Sequence, residues 1–275
     1  MKKVVSIFSV LLFLVTTGKL ALAEAVPGAL LYFDARINYR GHPTAWWNLG
    51  TVGGELSGAG NPPVLEEGNI AMPDLGIDTI SKFYTHRKPG QCWGAKGDGF
   101  KLFLEDWTIE LLLRMNSIDD SHRAGLRNQI AGFQPQKLEG DNAIRISFWW
   151  EPGEIGGQFG GARDNLLLLE EGEWTWINFV SGATVKILKN GRVRNLMEGG
   201  AKFDKKTPLE VVVIGANSYG ERANNFSGSI ALVRVYDRVL SKDEIKQNIT
   251  AWAEWRGVDP ASKLATTWGG VKAGY

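Results

Sequence analysis

The chain has 275 residues, 44% of them hydrophobic and 22% charged, which fits one large all-β or α/β domain or two small ones and excludes a disordered or collagen-like chain. A formal charge of +1 gives no electrostatic case for a dedicated nucleic-acid binder, so no nucleic-acid partner is expected, and a single cysteine excludes an intrachain disulfide and a multi-cysteine zinc site. The 34 glycines imply many turns, and the 11 tryptophans imply large apolar faces to bury or aromatic platforms to offer.

The N-terminus has the three parts of a secretory signal. Met1-Lys2-Lys3 is basic, Val4 to Val15 is apolar apart from Ser6 and Ser9, and Ala21-Leu22-Ala23 places small residues at a cleavage site. Residues 1–23 are therefore expected to be removed after Ala23, and the mature chain to be secreted, periplasmic or extracellular. The apolar run is too short to span a bilayer comfortably, and no transmembrane segment is expected after cleavage. Loss of Lys2, Lys3 and Lys19 leaves 28 basic residues against 30 acidic ones.

Most of the remainder reads as strands. Ala29 to Asp34 and Trp107 to Arg114 are short apolar runs, and Ala143 to Trp150 alternates, with Ile144, Ile146 and Phe148 on one face. Glu173 to Val180 and Ala183 to Lys189 form a predicted hairpin around Ser181-Gly182. Asn190-Gly191 then marks a tight turn with positive φ. Leu209 to Ile214 and Ser229 to Tyr236 complete the strong set. The Gly-rich stretches Gly50 to Pro63 and Gly153 to Gly161 read as loops. Neither lies between a strand and a helix, so neither is a phosphate loop. Short strands punctuated by Gly, Asn, Asp and Pro, with almost no helix, predict an antiparallel sandwich or jelly roll.

One helix is predicted after the last strand. Ser241 and Glu244 make a capping box, Leu240 and Ile245 a hydrophobic staple, and Ile245, Ile249 and Trp252 one apolar stripe that must lie on the sandwich. Arg256, Gly257 and Pro260 end it. The reading is all-β: a two-sheet antiparallel jelly-roll sandwich over residues 24–257 with one C-terminal amphipathic helix, then a tail over 258–275.

The run Ser227-Gly228-Ser229-Ile230-Ala231-Leu232-Val233-Arg234-Val235-Tyr236-Asp237-Arg238-Val239-Leu240-Ser241, followed by Glu244-Ile245, resembles the closing strand and helix of the laminin G-like jelly-roll group of the concanavalin A-like lectin/glucanase fold. Trp46-Trp47-Asn48-Leu49-Gly50 is similar to the group's early W-x-N-x-G. Glu105 to Glu110 and Trp176 to Gly191 are similar to its inner strand and its N-G hairpin. Ala231 and Leu232 stand where the group has an acidic pair, and Leu188 where it has a tyrosine. The resemblance implies a jelly roll and no single activity, since the group holds lectins, adhesion modules, sialidase-associated modules and glycosidases.

The glucan-cleaving branch of that fold carries E-x-D-x-E, which strand alternation puts on one face. This chain lacks it. Asp106-x-Thr108-x-Glu110 is the nearest approach, and the pairs Glu66-Glu67 and Glu170-Glu171 would point to opposite faces. No catalytic residue is assigned. His42, His86 and His122 share no metal spacing, and Cys92 has no activating neighbour. Tryptophan is more informative, because sugars stack their C–H faces on indole. In Trp46-Trp47 and Trp149-Trp150 the two rings must face opposite ways on a strand. Trp47 and Trp150 are the candidate exposed members, although burial is the competing reading for each. The loop Gly215 to Asn225 is rich in short oxygen ligands. Asn217, Tyr219, Asn224 and Asn225 are candidate ligand-binding residues there. No motif specifies a cofactor; Ca2+ is the candidate ion and Asp34 its candidate ligand.

Three functions follow from these readings. The first is an exported non-catalytic binding or adhesion module for a carbohydrate. The second is a glycan-active hydrolase or lyase of the same fold, for which two carboxylates must converge on a cleft. The third is a protein-interaction module, for which an exposed apolar patch is needed. The expected partner is accordingly a glycan or a surface protein.

Overall fold

A computed structural model describes residues 25–37, 45–59, 63–72, 77–86, 92–95, 100–116, 128–136, 144–148, 154–159, 162–198, 206–216 and 226–254. The predicted signal and tail lie outside these residues. In chain order the elements are β1 (Leu31–Asp34), β2 (Ala45–Trp47), β3 (Glu55–Ala59), β4 (Val64–Met72), β5 (Ile77–His86), β6 (Cys92–Ala95), β7 (Thr108–Met115) and β8 (Asn128–Gln134). They continue with β9 (Ile144–Phe148), β10 (Glu154–Phe159), β11 (Ala162–Leu168), β12 (Trp174–Val180), β13 (Thr184–Lys189), β14 (Arg192–Glu198), β15 (Val211–Ile214), β16 (Gly228–Tyr236) and α1 (Lys242–Glu254).

The strands form two antiparallel sheets of eight. One runs β14-β13-β12-β7-β16-β5-β4, with β1 added to the far half of β16; the other runs β11-β10-β9-β8-β15-β6-β3-β2. We call them the helix-bearing sheet and the open sheet. Every run predicted as a strand is one, within a few residues at each end. The glycine-rich stretches read as loops are corrected: they contain β3 and β10. In β10, Gly156 and Gly157 sit between β9 and β11, where ladder bonds to both neighbours need only backbone.

The central strands are buried on both faces, so they read as near-continuous apolar runs. Ile109, Leu111 and Leu113 of β7, Ile177 and Phe179 of β12, and Val233 and Val235 of β16 face the core between the sheets. There they meet Phe33, Trp46, Trp93 and Trp107. The alternate residues Leu112, Trp174, Trp176, Val180, Leu232 and Tyr236 face outward into a second cluster, which α1 closes with Ile245, Ile249 and Trp252. A bulge between Ile230 and Leu232 adds Ala231 to that outward cluster. Residues 231 and 232 are apolar because they are sealed beneath a helix rather than offered at a rim.

The helix begins as its sequence predicts. Ser241 N–H donates to Glu244 Oε2 at 2.8 Å and Glu244 N–H donates to Ser241 Oγ at 3.2 Å. Arg238 also binds Glu244 at 2.8 Å, and this hydrogen bond pulls the Glu244 carboxyl down to about 2. The predicted stop at Arg256, Gly257 and Pro260 lies outside the described residues. The turn at Asn190-Gly191 is present, with φ of 51° and 75°, and Asn190 Oδ1 accepts from Trp176 N–H at 3.0 Å.

Candidate binding site

The W-x-N-x-G segment divides its labour residue by residue. Trp46 is sealed in the core, its ring 4.8 Å from Tyr84 and 5.4 Å from Phe33. Asn48 staples the following loop to β1: its Oδ1 accepts from Tyr32 N–H at 2.7 Å and Gly50 N–H at 2.9 Å. Its Nδ2 donates to Leu30 O at 3.1 Å and Gly53 O at 2.8 Å. Gly50 is required there, because a Cβ would run into the Leu30 carbonyl. Alternation then turns Trp47 away from the core, and it is 46% exposed.

Trp47 lies on the edge strand of the open sheet. Glu55 of β3 is its direct cross-strand partner, and Ser57 follows two residues on, with both side chains exposed. From Ser57 the register continues through Gly94, Val213 and Gly132 on the same outer face. An indole beside a carboxylate and a hydroxyl makes a small surface site at the sheet edge; farther along the strip Val213 and Gly132 are buried. Its chemistry is stacking plus hydrogen bonding to hydroxyls. Glu55 and Ser57 escape sequence reasoning because only the register brings them beside Trp47.

The other predicted site residues divide as follows. Trp150, Asn217, Tyr219, Asn224 and Asn225 lie outside the described residues. The base of the 217–225 loop is described: Phe226 N–H donates to Gly215 O at 2.9 Å, closing it. Gly215, at φ 88°, has the His86 imidazole where a Cβ would stand. Along the register Gly215 falls level with Ala59, four residues or roughly 13 Å from Glu55. The base of this loop and Trp47 therefore lie toward opposite ends of the open sheet. Asp34, the candidate Ca2+ ligand, already has a cationic partner. It is fully buried, Arg36 Nε donates to its Oδ1 at 2.9 Å, and the Tyr32 hydroxyl donates to its Oδ2 at 3.1 Å. A guanidinium holds the place a cation would take. Among the described residues, no three His, Cys, Asp or Glu side chains are grouped to hold a metal ion.

Glu110 and Asp106 do not form an open pair. Asp106 is exposed ahead of β7, whereas Glu110 is fully buried beneath α1. Asn178 Nδ2 and Asn248 Nδ2 each donate to Glu110 at 2.8 Å, and Arg234 Nη1 stands 3.5 Å away. Burial raises the Glu110 carboxyl to about 7 even though Arg234 and both amides pull it down. Arg234 in turn donates to the Tyr32 hydroxyl at 3.2 Å, and Arg36 Nη1 donates to Trp252 O at 2.7 Å. This buried chain of polar groups fastens the helix to its sheet. Glu66 and Glu67 face opposite ways as alternation requires: Thr85 Oγ1 donates to Glu66 at 3.3 Å, and Lys82 pairs with Glu67 at 2.8 Å.

A laminin G family model, described as the concanavalin A-like lectin/glucanases superfamily, matches residues 97–246. No curated protein matches the chain. Among solved structures, the receptor-binding domain of a botulinum neurotoxin C/D mosaic serotype is similar at a TM-score of 0.54 and 10% identity, over 82% of this chain and 51% of that one. The binding domain of botulinum neurotoxin serotype G gives the same four values, and that of serotype D gives 0.50, 12%, 82% and 50%. The chain spans about half the length of these domains, and at such identity the likeness is one of fold. With the two sheets, the closing strand and the capped helix in place, the chain belongs to the laminin G-like family of the concanavalin A-like lectin/glucanase superfamily.

Proposed function

We propose that the chain is an exported, non-catalytic binding or adhesion module and that its ligand is a carbohydrate. The observation that carries this reading is Trp47: a half-exposed indole on an edge strand, anchored on one side by buried Trp46 and on the other by the Asn48 staple. With the backbone on both sides of Trp47 fixed, less freedom is lost when a sugar stacks on its ring, which favours binding. Glu55 and Ser57 supply acceptor and donor groups for sugar hydroxyls. Similar folds among the solved structures are receptor-binding domains, which is consistent with a binding role. The hydrolase or lyase reading has less support, since Asp106 and Glu110 do not converge.

The test is a glycan array probed with the mature protein, with and without calcium, followed by titration of the best hit. Saturable binding that Trp47→Ala weakens supports the proposal; a silent array, or binding indifferent to Trp47, overturns it. The calcium arm decides whether the 217–225 loop contributes a cation site. Export is tested by N-terminal sequencing of the protein recovered from its host, with Glu24 expected first; a chain beginning at Met1 refutes it.

A further inference from the structure

The two most exposed large hydrophobic side chains among the described residues, Val193 at 55% and Leu196 at 53%, sit on one strand, β14. A strict alternation would put residues 193 and 196 on opposite faces. The bulge between Ile187 and Leu188 prevents this: Val193 pairs with Leu188 and Leu196 with Lys186, leaving Arg194 as the extra residue. Leu188 belongs to the cluster under α1, so Val193 and Leu196 both lie on the helix-bearing face, just beyond the helix. The β13–β14 turn abuts α1 there, for a Cβ at Gly191 would stand 3.4 Å from Ile249 Cδ1.

Basic side chains surround this shelf. Lys186, which pairs with Leu196, shares its face and Arg194 is the extra residue at the bulge; both are exposed, whereas Arg192 pairs with Lys189 and alternates to the other face. Lys242 and Lys246, also exposed, stand seven and three residues before Ile249, on the flank of α1 that meets the turn. On the helix Glu244 is held by Arg238, while exposed Asp243, in the first turn, offsets part of the lysine charge on this flank. The mature chain has a slight acidic excess, so this concentration of positive charge is local. We propose that the β14 shelf is a docking surface for a second protein, through a segment that is acidic and carries aliphatic side chains. A second copy of this chain would bring like charge onto like charge. The shelf's exposed apolar groups are aliphatic, with no ring to stack a sugar. They lie flush on a sheet face rather than projecting, unlike a membrane-inserting tip. The surface is on the opposite side of the sandwich from Trp47 and does not depend on the carbohydrate reading.

The test uses the full mature chain and a fluorescent twelve-residue peptide of alternating leucine and glutamate, read by polarisation. Binding is expected to saturate and to weaken between low and high salt. Val193→Ser with Leu196→Ser, and separately Lys186→Glu with Lys246→Glu, should each weaken it at least about tenfold, which is ~1.4 kcal/mol. Unchanged melting midpoints confirm that the variants fold, and Trp47→Ala should leave peptide binding unchanged. Absence of saturable peptide binding overturns the proposal. So does binding that the serine pair leaves intact, which would show that charge alone acts. Dextran sulfate and phosphatidylserine vesicles are run alongside. If either binds through Lys186 and Lys246 while the peptide does not, the surface takes a polyanion or a membrane and the protein partner is refuted.

Discussion

Asn248 of α1 donates its Nδ2 to Glu110 Oε2 at 2.8 Å, although the two are 138 residues apart in sequence. The same Nδ2 lies 3.0 Å from the Tyr236 hydroxyl, and Asn248 Oδ1 accepts from Val26 N–H at 2.7 Å. One amide thus joins the helix, two central strands and the N-terminal segment. Asn248→Ala should lower stability by ~1–3 kcal/mol, the scale for leaving buried hydrogen-bonding groups without a partner. Urea denaturation measures it, and a loss below ~1 kcal/mol would mean that water replaces the amide.

Glu110 predicts the direction of the pH dependence. Its carboxyl is raised from 4.5 to about 7 on folding, so the folded state holds the proton more tightly than the unfolded chain does. The stabilisation is complete below about 4.5 and is lost as pH rises through about 7, a change on the order of 3 kcal/mol at most. Denaturation midpoints should fall from pH 5 to pH 8. Glu110→Gln, which stands in for the protonated carboxyl, should flatten that slope; an unchanged slope would show that another group sets it.

Trp252 is buried, its ring 6.1 Å from Trp176 and with the Arg36 guanidinium 4.5 Å above it. Trp252→Ala should cost ~3–5 kcal/mol and lower the melting midpoint strongly. An unchanged midpoint would make the helix a loose appendage.

Trp46 and Trp47 should separate fold from binding. Trp46→Ala removes a ring from the centre of the core and should unfold the protein or cost ~3–5 kcal/mol. Trp47→Ala should leave the melting midpoint within a few degrees and weaken glycan binding by ~1–3 kcal/mol, with base–aromatic stacking as the nearest measured analogue. A Trp47→Ala protein that melts like Trp46→Ala would place the ring in the core.

Gly50→Ala should destabilise even though position 50 is only partly buried, because the new Cβ meets the Leu30 carbonyl. It should also weaken glycan binding, through a displaced loop after Trp47. Equal affinity in the surviving folded protein would mean that Trp47 is positioned by Trp46 alone.

What was legible in the sequence is what repeats with a period or obeys a local chemistry. Ile245, Ile249 and Trp252 mark a helix face because they recur at its pitch, and Ser241 with Glu244 is a cap that needs no distant partner. Asn190-Gly191 is legible because only a few residues adopt positive φ. Glu154 to Phe159 was missed because Gly156 and Gly157 carry no alternation to read, and β3 for a similar reason around Gly58. Asp34 looked like an oxygen ligand because its neutralising partner, Arg36, is visible as such only once the chain turns back on itself. Trp47 was legible as half of a pair. Glu55 and Ser57 were not, since cross-strand register is a long-range property of the sheet.

The clamp between Val26 and Asn248 also closes the described fold from one end to the other. Val26 N–H binds Asn248, and Val26 O accepts from the Tyr236 hydroxyl at 3.1 Å. The first and last described segments therefore meet on one side, 222 positions apart in the chain. Within the described residues, the N-terminal segment at Val26 and the helix at Asn248 are thus joined on the helix-bearing side. Trp47, on the outer face of the other sheet, lies on the opposite side of the sandwich from this clamp, so a ligand stacked on that ring leaves the joint between helix and N-terminal segment untouched.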